Sequence, residues 1–315
     1  MSETLTQGTD EPTTATRSSG AIVLGDNQWG KAQVHLVRVD RATPRHEITD
    51  LDVSSQLRGG QEATHLVGDN SRCVATDTQK NTIFAFARDG VGAIEDFAIR
   101  LGAHFVEDFD WIEGGRWEIE QYSWNRIETA DGEHDHAFVR NNTETRTTVV
   151  QRDGDEVFVV SGLTDLVVLK STGSEFHGFP RDRYTSLVET DDRILATSVT
   201  SRWRYTTTDV DFDAVYAKVR AIQLETFATT HSLALQQSLF AMGKAVLEAV
   251  PEIAEIKFSM PNKHHFLVDL APFGLDNPNE VFYAADRPYG LIEATVQRED
   301  APTEPRAWAT VTGFC

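Results

Sequence analysis

Four segments of this 315-residue chain carry polar, glycine-punctuated side chains that neither a strand nor a helix requires. They are Trp29-Gly30-Lys31, residues 75–82 (ATDTQKNT), residues 169–179 (LKSTGSEFHGF) running on to Asp192-Arg193-Ile194-Leu195, and Pro261-Asn262-Lys263-His264-His265-Phe266. Together they supply a lysine, a threonine hydroxyl, a histidine, a guanidinium and an amide. These are the groups that move protons and grip an anion. Taken one at a time, each has a plainer role. Lys31 is a strand-start lysine, Thr76 a turn residue and Arg193 a surface ion-pair residue. Phe176 is core, Gln236 a solvated helix face and His264 a structural histidine. Two further sets have the residue types of metal sites: His134-x-His136 with His264-His265, and the acidic run at 107–110. The first pair of histidines lies in an acidic polar connection. The acidic run lacks the alternating ligands and glycine of a calcium loop. Both are read as structural or solvated.

The elements that must position these groups follow from hydrophobic periodicity. Residues 31–39 and 47–57 read as strands. Residues 80–106 contain a helical face of Ile94, Phe97, Ala98, Leu101 and Phe105. Gly114-Gly115 is a turn signal, followed by a strand with Trp117 and Ile119 on one side and Glu118 and Glu120 on the other. Further strands are expected at 145–150 and 156–169. The second half repeats the outline: a strand at 202–210, a helix at 212–227, a helix face of Leu235, Leu239, Met242 and Val246, then strands at 256–260, 265–270 and 290–297. The expectation is α+β, with antiparallel sheet covered on one face by helices. The length suits two units: residues 21–152 and 153–315, after a disordered tail at 1–20.

Composition narrows the function. Hydrophobic residues make up 40% of the chain, enough for a core. No apolar run has membrane-spanning length. Cys73 and Cys315 are the only cysteines, which gives no disulfide framework or zinc site. With no secretory leader at the start and Gly313-Phe314-Cys315 at the end rather than Ser-Lys-Leu, a cytoplasmic location is expected. A net charge of −20 argues against a nucleic-acid or anionic-membrane partner. It leaves room for a small anion, because one buried cation outweighs distant screened charge.

In order along the chain, the motifs Trp-Gly-Lys, Thr-Asp-x-x-Lys-Asn-Thr, Lys-Ser-Thr-x-Ser-x-Phe-x-Gly-Phe, Asp-Arg-Ile-Leu and Pro-Asn-Lys-His resemble those of the urate oxidase (uricase) family. They spread from residue 29 to near residue 295. Trp29 stands where many relatives have Tyr, and Leu235 where some have Val. The resemblance implies the tunnelling fold (T-fold): two antiparallel-sheet-plus-helices domains per chain, in a barrel-shaped homotetramer with sites between subunits. It implies oxidation of urate by O2 and water to 5-hydroxyisourate and hydrogen peroxide, with no cofactor and no metal.

The same resemblance assigns roles. Arg193 is the bidentate guanidinium for urate, Gln236 the amide that both donates and accepts, and Phe176 the stacking ring. The backbones of Leu235 and Asp77 complete the purine edge, and Leu187 and Ile292 form apolar walls. Lys31, Thr76 and His264 form a catalytic proton relay, with Thr76 and Asn262 holding oxygen or water over the ring. A pterin-processing enzyme of the same fold would use a metal or an acidic anchor where Arg193 stands. A purine binder without chemistry would not need Lys31, Thr76 and His264.

Overall fold

A computed structural model describes residues 20–140, 143–311 and 313–314. The expected tail and Cys315 therefore lie outside the described residues, apart from residue 20. In chain order the strands are β1 (Trp29–Asp40), β2 (Glu47–Gly59), β3 (Ile112–Tyr122), β4 (Asn125–Thr129), β5 (Gly132–Val139), β6 (Thr145–Asp153), β7 (Glu156–Lys170), β8 (Leu195–Tyr205), β9 (Ile253–Asn262), β10 (His265–Leu267), β11 (Phe282–Ala284) and β12 (Gly290–Gln297). The helices are α1 (Glu62–Val67), α2 (Thr76–Arg88), α3 (Ile94–Asp108), α4 (Phe212–Thr229), α5 (Leu235–Ala249) and α6 (Pro305–Trp308). Eight strands form one antiparallel sheet in the order β1-β2-β3-β6-β7-β8-β9-β12. Its edges are β1 and β12.

The core lies between this sheet and the helices laid on one face. The apolar stripe of α3, Ile94, Phe97, Ala98, Leu101 and Phe105, is wholly buried. It packs against β3 and β6, whose Trp117, Ile119 and Val150 are buried too. On α5 the buried stripe is Leu235, Leu239, Met242 and Val246, set against β9 and β12. Each such side chain contributes roughly 1.5–3 kcal/mol of burial. The 3.6-residue and two-residue periods thus agree on a single apolar layer.

Four expectations change. Gly114 and Gly115 do not turn the chain; they lie inside β3. A Cβ on Gly114 would stand 2.1 Å from the Arg152 carbonyl oxygen, and one on Gly115 2.4 Å from that of Gln56. They are glycines because neighbouring backbone passes too close for a side chain. His134 and His136 lie in strand β5 rather than a connection. The strand expected at 202–210 runs instead from Leu195 to Tyr205, so Asp192-Arg193-Ile194 leads directly into the central sheet. The strand expected at 265–270 ends at Leu267.

One polar cluster ties the two halves. Arg146 on β6 pairs with fully buried Glu95 of α3 at 2.8 Å and with Asp213 of α4 at 2.5 Å. Ser161 donates to the other Glu95 oxygen at 2.5 Å. Burial pushes the Glu95 carboxyl up, and Arg146 opposes that. Arg146→Met leaves Glu95 buried without its cation. A loss of about 3–5 kcal/mol in unfolding free energy is expected, read by urea titration. A loss under about 1 kcal/mol, the size typical of exposed pairs, would show that the cluster does not hold the halves together.

Candidate functional site

The chain gathers one set of the expected residues into a cavity and holds the other set elsewhere. Phe176, Leu187, Arg193, Leu235, Gln236, Asn262, His264 and Ile292 line a cavity of about 200 Å³. A neighbouring cavity of about 390 Å³ shares Phe176, Leu187, Arg193, Asn262 and His264. Lys31, Thr76 and Asp77 line neither.

The gathered half is built around a strap, residues 171–194. Phe176 and Thr190 form an antiparallel bridge, with hydrogen bonds of 2.9 and 3.2 Å. Asp192 pins the start of the strap by accepting from Thr172 Oγ1 (3.0 Å) and Gly173 N (3.1 Å). Ser174 bridges Ser232, whose hydroxyl accepts from Ser238 at 2.8 Å. That fastens the strap to the first turn of α5. Asp192 and Ser174 stand in the segments singled out above, but their anchoring roles were not legible, because their partners are 20 and 58 residues away along the chain for Thr172–Asp192 and Ser174–Ser232.

On this frame the chemistry is directional. Arg193 Nε donates to Ser174 Oγ at 3.3 Å, and its terminal nitrogens make no hydrogen bond among the described residues. Its Cζ lies over the Phe176 ring, 5.0 Å from the centroid, in a cation–π contact. Burial lowers the Arg193 pKa, but the group stays charged. Leu235 and Gln236 open α5, and the first backbone N–H groups bonded back to Ala234 are those of Gln237 and Ser238. The Leu235 amide is therefore free for a ligand. Asn262 ends β9, paired with Gly290 of β12, and His264 follows.

The other half forms at the start of β1. Trp29 Nε1 donates to the Val74 carbonyl at 2.9 Å, which draws the entrance of α2 to Lys31. Gly30 is obligatory, since a Cβ there would lie 1.8 Å from the Ser55 carbonyl oxygen. Thr76 is not a turn residue but the first residue of α2, exposed, with Asp77 second. Lys80 and Asn81 hold the Asp77 carboxylate. Its pKa is lowered first by Lys80, with Lys31 adding a smaller pull. Lys31 and Asp77 are thus near neighbours.

The earlier metal candidates have other partners. In the acidic run, Glu107 pairs with Arg152 at 3.6 Å and Asp108 with His104 at 2.8 Å. Among the described residues the group placed to share an ion is Glu175, His177 and Asp191.

Comparison with known proteins adds three findings. The family model described as uricase matches residues 27–151 and 159–293. The uricase of Arthrobacter globiformis is 63% identical over 303 residues, 96% of this chain and 99% of that one. The uricase of Dictyostelium discoideum is 39% identical over 279 residues, 87% and 97% of the two chains. The crystal structure of the Arthrobacter globiformis uricase superposes with a TM-score of 0.89, covering 92% of this chain and all of that one. A uricase structure from Bacillus fastidious, 26% identical, gives 0.76 and covers 89% and 96%.

His264 provides a test internal to the cavity. Its pKa is lowered from 6.5 first by burial, then by Arg193 and His265. In ring-carbon NMR it should titrate below 6.5. In Arg193→Gln the midpoint should rise without reaching 6.5, because burial remains. An unchanged midpoint would separate His264 from Arg193.

Proposed function

The chain belongs to the uricase family and oxidises urate with O2 and water to 5-hydroxyisourate and hydrogen peroxide; from that premise we propose that each active site is assembled from two chains of a homotetramer. The observation that carries this is the position of the two half-sites on opposite edges of one sheet. Lys31 lies on edge strand β1, with Thr76 and Asp77 beside it. The cavity of Arg193, Gln236 and Asn262 adjoins edge strand β12 through Ile292. Six strands, β2, β3, β6, β7, β8 and β9, lie between these two edges. No bend within the chain brings them together.

Register supports the same arrangement. Val34 is level with Val296 through Val53, Ile119, Thr148, Ser161, Trp203 and Ile256. Lys31 therefore sits level with the Gln297 end of β12, whereas the cavity lies at its Gly290 end. In a closed barrel the strands tilt by about 35–45°, which advances the register by roughly one residue per strand. Over eight strands that is roughly the length of β12. Joining β1 of one chain to β12 of its partner, and the reverse, gives a self-complementary pair with two sites. Two such pairs make the tetramer. Residues 21–152 and 153–315 are its repeated units.

Within this site we assign Arg193 and Gln236 to the purine edge, Phe176 to its face, and the N–H groups of Leu235 and Asp77 to the remaining acceptors. Lys31 accepts the proton that urate passes through the Thr76 hydroxyl, and neutral His264 passes protons onward. Thr76 and Asn262 hold O2, and later water, over the ring. Deprotonated urate donates its electrons to O2 directly. The chain's own residues suffice for these steps without a cofactor.

Separating binding from proton transfer gives one expectation. Lys31→Met should retain KM for urate and lose roughly 10²–10⁴ in kcat, the usual cost of removing a general base. An unchanged kcat in the folded variant would exclude Lys31 from the chemistry.

Mixing tests the shared site. Thr76→Ala and Arg193→Ala should each be inactive alone. After mild dissociation and reassembly together, each mixed pair holds one site with both native halves and one with neither. Random pairing makes about a quarter of all sites native, and activity should recover to about that share. If mixed assemblies form and nothing is recovered, the site lies within one chain.

A further inference from the structure

We infer that the strap carrying Phe176 holds a divalent transition-metal ion on its back face, through Glu175, His177 and Asp191. The placement follows from the pleat. At the bridge between Phe176 and Thr190, both of these side chains line the cavity. Residues one step before and after them point the other way. Glu175, His177, Glu189 and Asp191 are therefore thrown together behind the stacking ring.

The group has the chemistry of a cation site. One ligand atom from each of Glu175, His177 and Asp191 lies within 4.8 Å of the others. His177 Nε2 stands 2.9 Å from Asp191 Oδ1 and 3.8 Å from Glu175 Oε2. Bonds of about 2.0–2.2 Å to one ion set ligand atoms roughly 3.3–3.6 Å apart, so the ion fits after small side-chain shifts. On the far side of the ring, His177 Nδ1 faces Glu189 Oε2 at 3.7 Å. Glu189 is itself fixed by the Gly178 N–H at 2.8 Å. A carboxylate on the second nitrogen is how metal-bound imidazoles are oriented. His231 Nε2 lies 2.9 Å from the other Glu175 oxygen and offers a fourth ligand. Charge points the same way. His177 faces three carboxylates, those of Glu175, Glu189 and Asp191. Arg181 acts on Glu189, which leaves Glu175 and Asp191 for a cation. Imidazole with carboxylate suits zinc, cobalt and nickel over magnesium or calcium.

The ion would brace the stacking ring from behind, away from the atoms that react, so it adds nothing to the oxidation itself. The test uses the whole enzyme, stripped with chelator and desalted. Calorimetry with Zn2+ should give one saturable site per chain, and Co2+ should develop visible absorption bands. His177→Ala and Asp191→Asn should each abolish both signals. Glu189→Gln should weaken binding by roughly 10–100-fold. His134→Ala should leave it intact. Each variant is shown to be folded by its retained urate oxidation, and Zn2+ should raise the melting temperature of wild type but not of His177→Ala. Absence of saturable binding to wild type would overturn the proposal. So would binding that survives both His177→Ala and Asp191→Asn.

Discussion

Eight antiparallel strands in one open sheet leave two unpaired edges, and the arrangement of the site depends on what those edges carry. β1 and β12 each have an outer edge that pairs with no other strand among the described residues. Closing a barrel is the one remedy that removes edges altogether. Here the edges also carry the two groups of residues proposed for the site: Lys31 on β1, and Ile292 with the adjoining Arg193 cavity at β12. In the proposed assembly the bonds that complete the sheet are the bonds that complete the chemistry. A folded chain that failed to associate would keep the anion clamp and lack the base.

The clamp depends on a second constraint, the immobilisation of a strap with little regular structure. Residues 171–194 contribute Phe176 and Arg193 but only two isolated bridges, Phe176–Thr190 and Ser174–Ser232. Their order comes from Asp192 gripping Thr172 and Gly173, from Ser174 against Ser232, and from entry into β8 immediately after Arg193. That last join matters most. Because β8 begins at Leu195, Arg193 is two residues from a buried, eight-stranded sheet, so its guanidinium is aimed by the core.

Regular packing was the most legible part of the sequence. The stripes of α3 and α5 and the alternation around Trp117 could be read directly, since period alone decides which side chains are buried. Close approach was not legible. Gly114-Gly115 has the composition of a turn, and only the neighbouring Arg152 and Gln56 carbonyls reveal a strand interior. The start of α2 and its separation from α3 were missed: its first turn, Thr76-Asp77-Thr78, is polar, and only the structure shows the helix beginning at Thr76 and ending at Arg88. The residues proposed for the site were assigned through motif resemblance. The division of those residues between two sheet edges is a property of topology, and no local pattern encodes it. The carboxylate–histidine group behind Phe176 escaped for the same reason: its members come from both sides of a bridge.

The acidity of the chain also fits its substrate once distances are considered. A net charge of −20 repels an anion at long range, but at physiological salt that repulsion decays over about 8 Å. Inside the cavity the near field decides. Arg193 is half-buried with its terminal nitrogens unpaired, and the amide-bearing first turn of α5 faces the same space. In the proposed shared site the first turn of α2 adds a second set of free N–H groups. Asp77 would oppose them, but Lys80 and Asn81 hold its carboxylate, leaving its backbone N–H as the group presented to substrate. In the proposed assembly the excess of acidic side chains repels at long range, while one guanidinium and two helix ends reverse the potential at the proposed urate site.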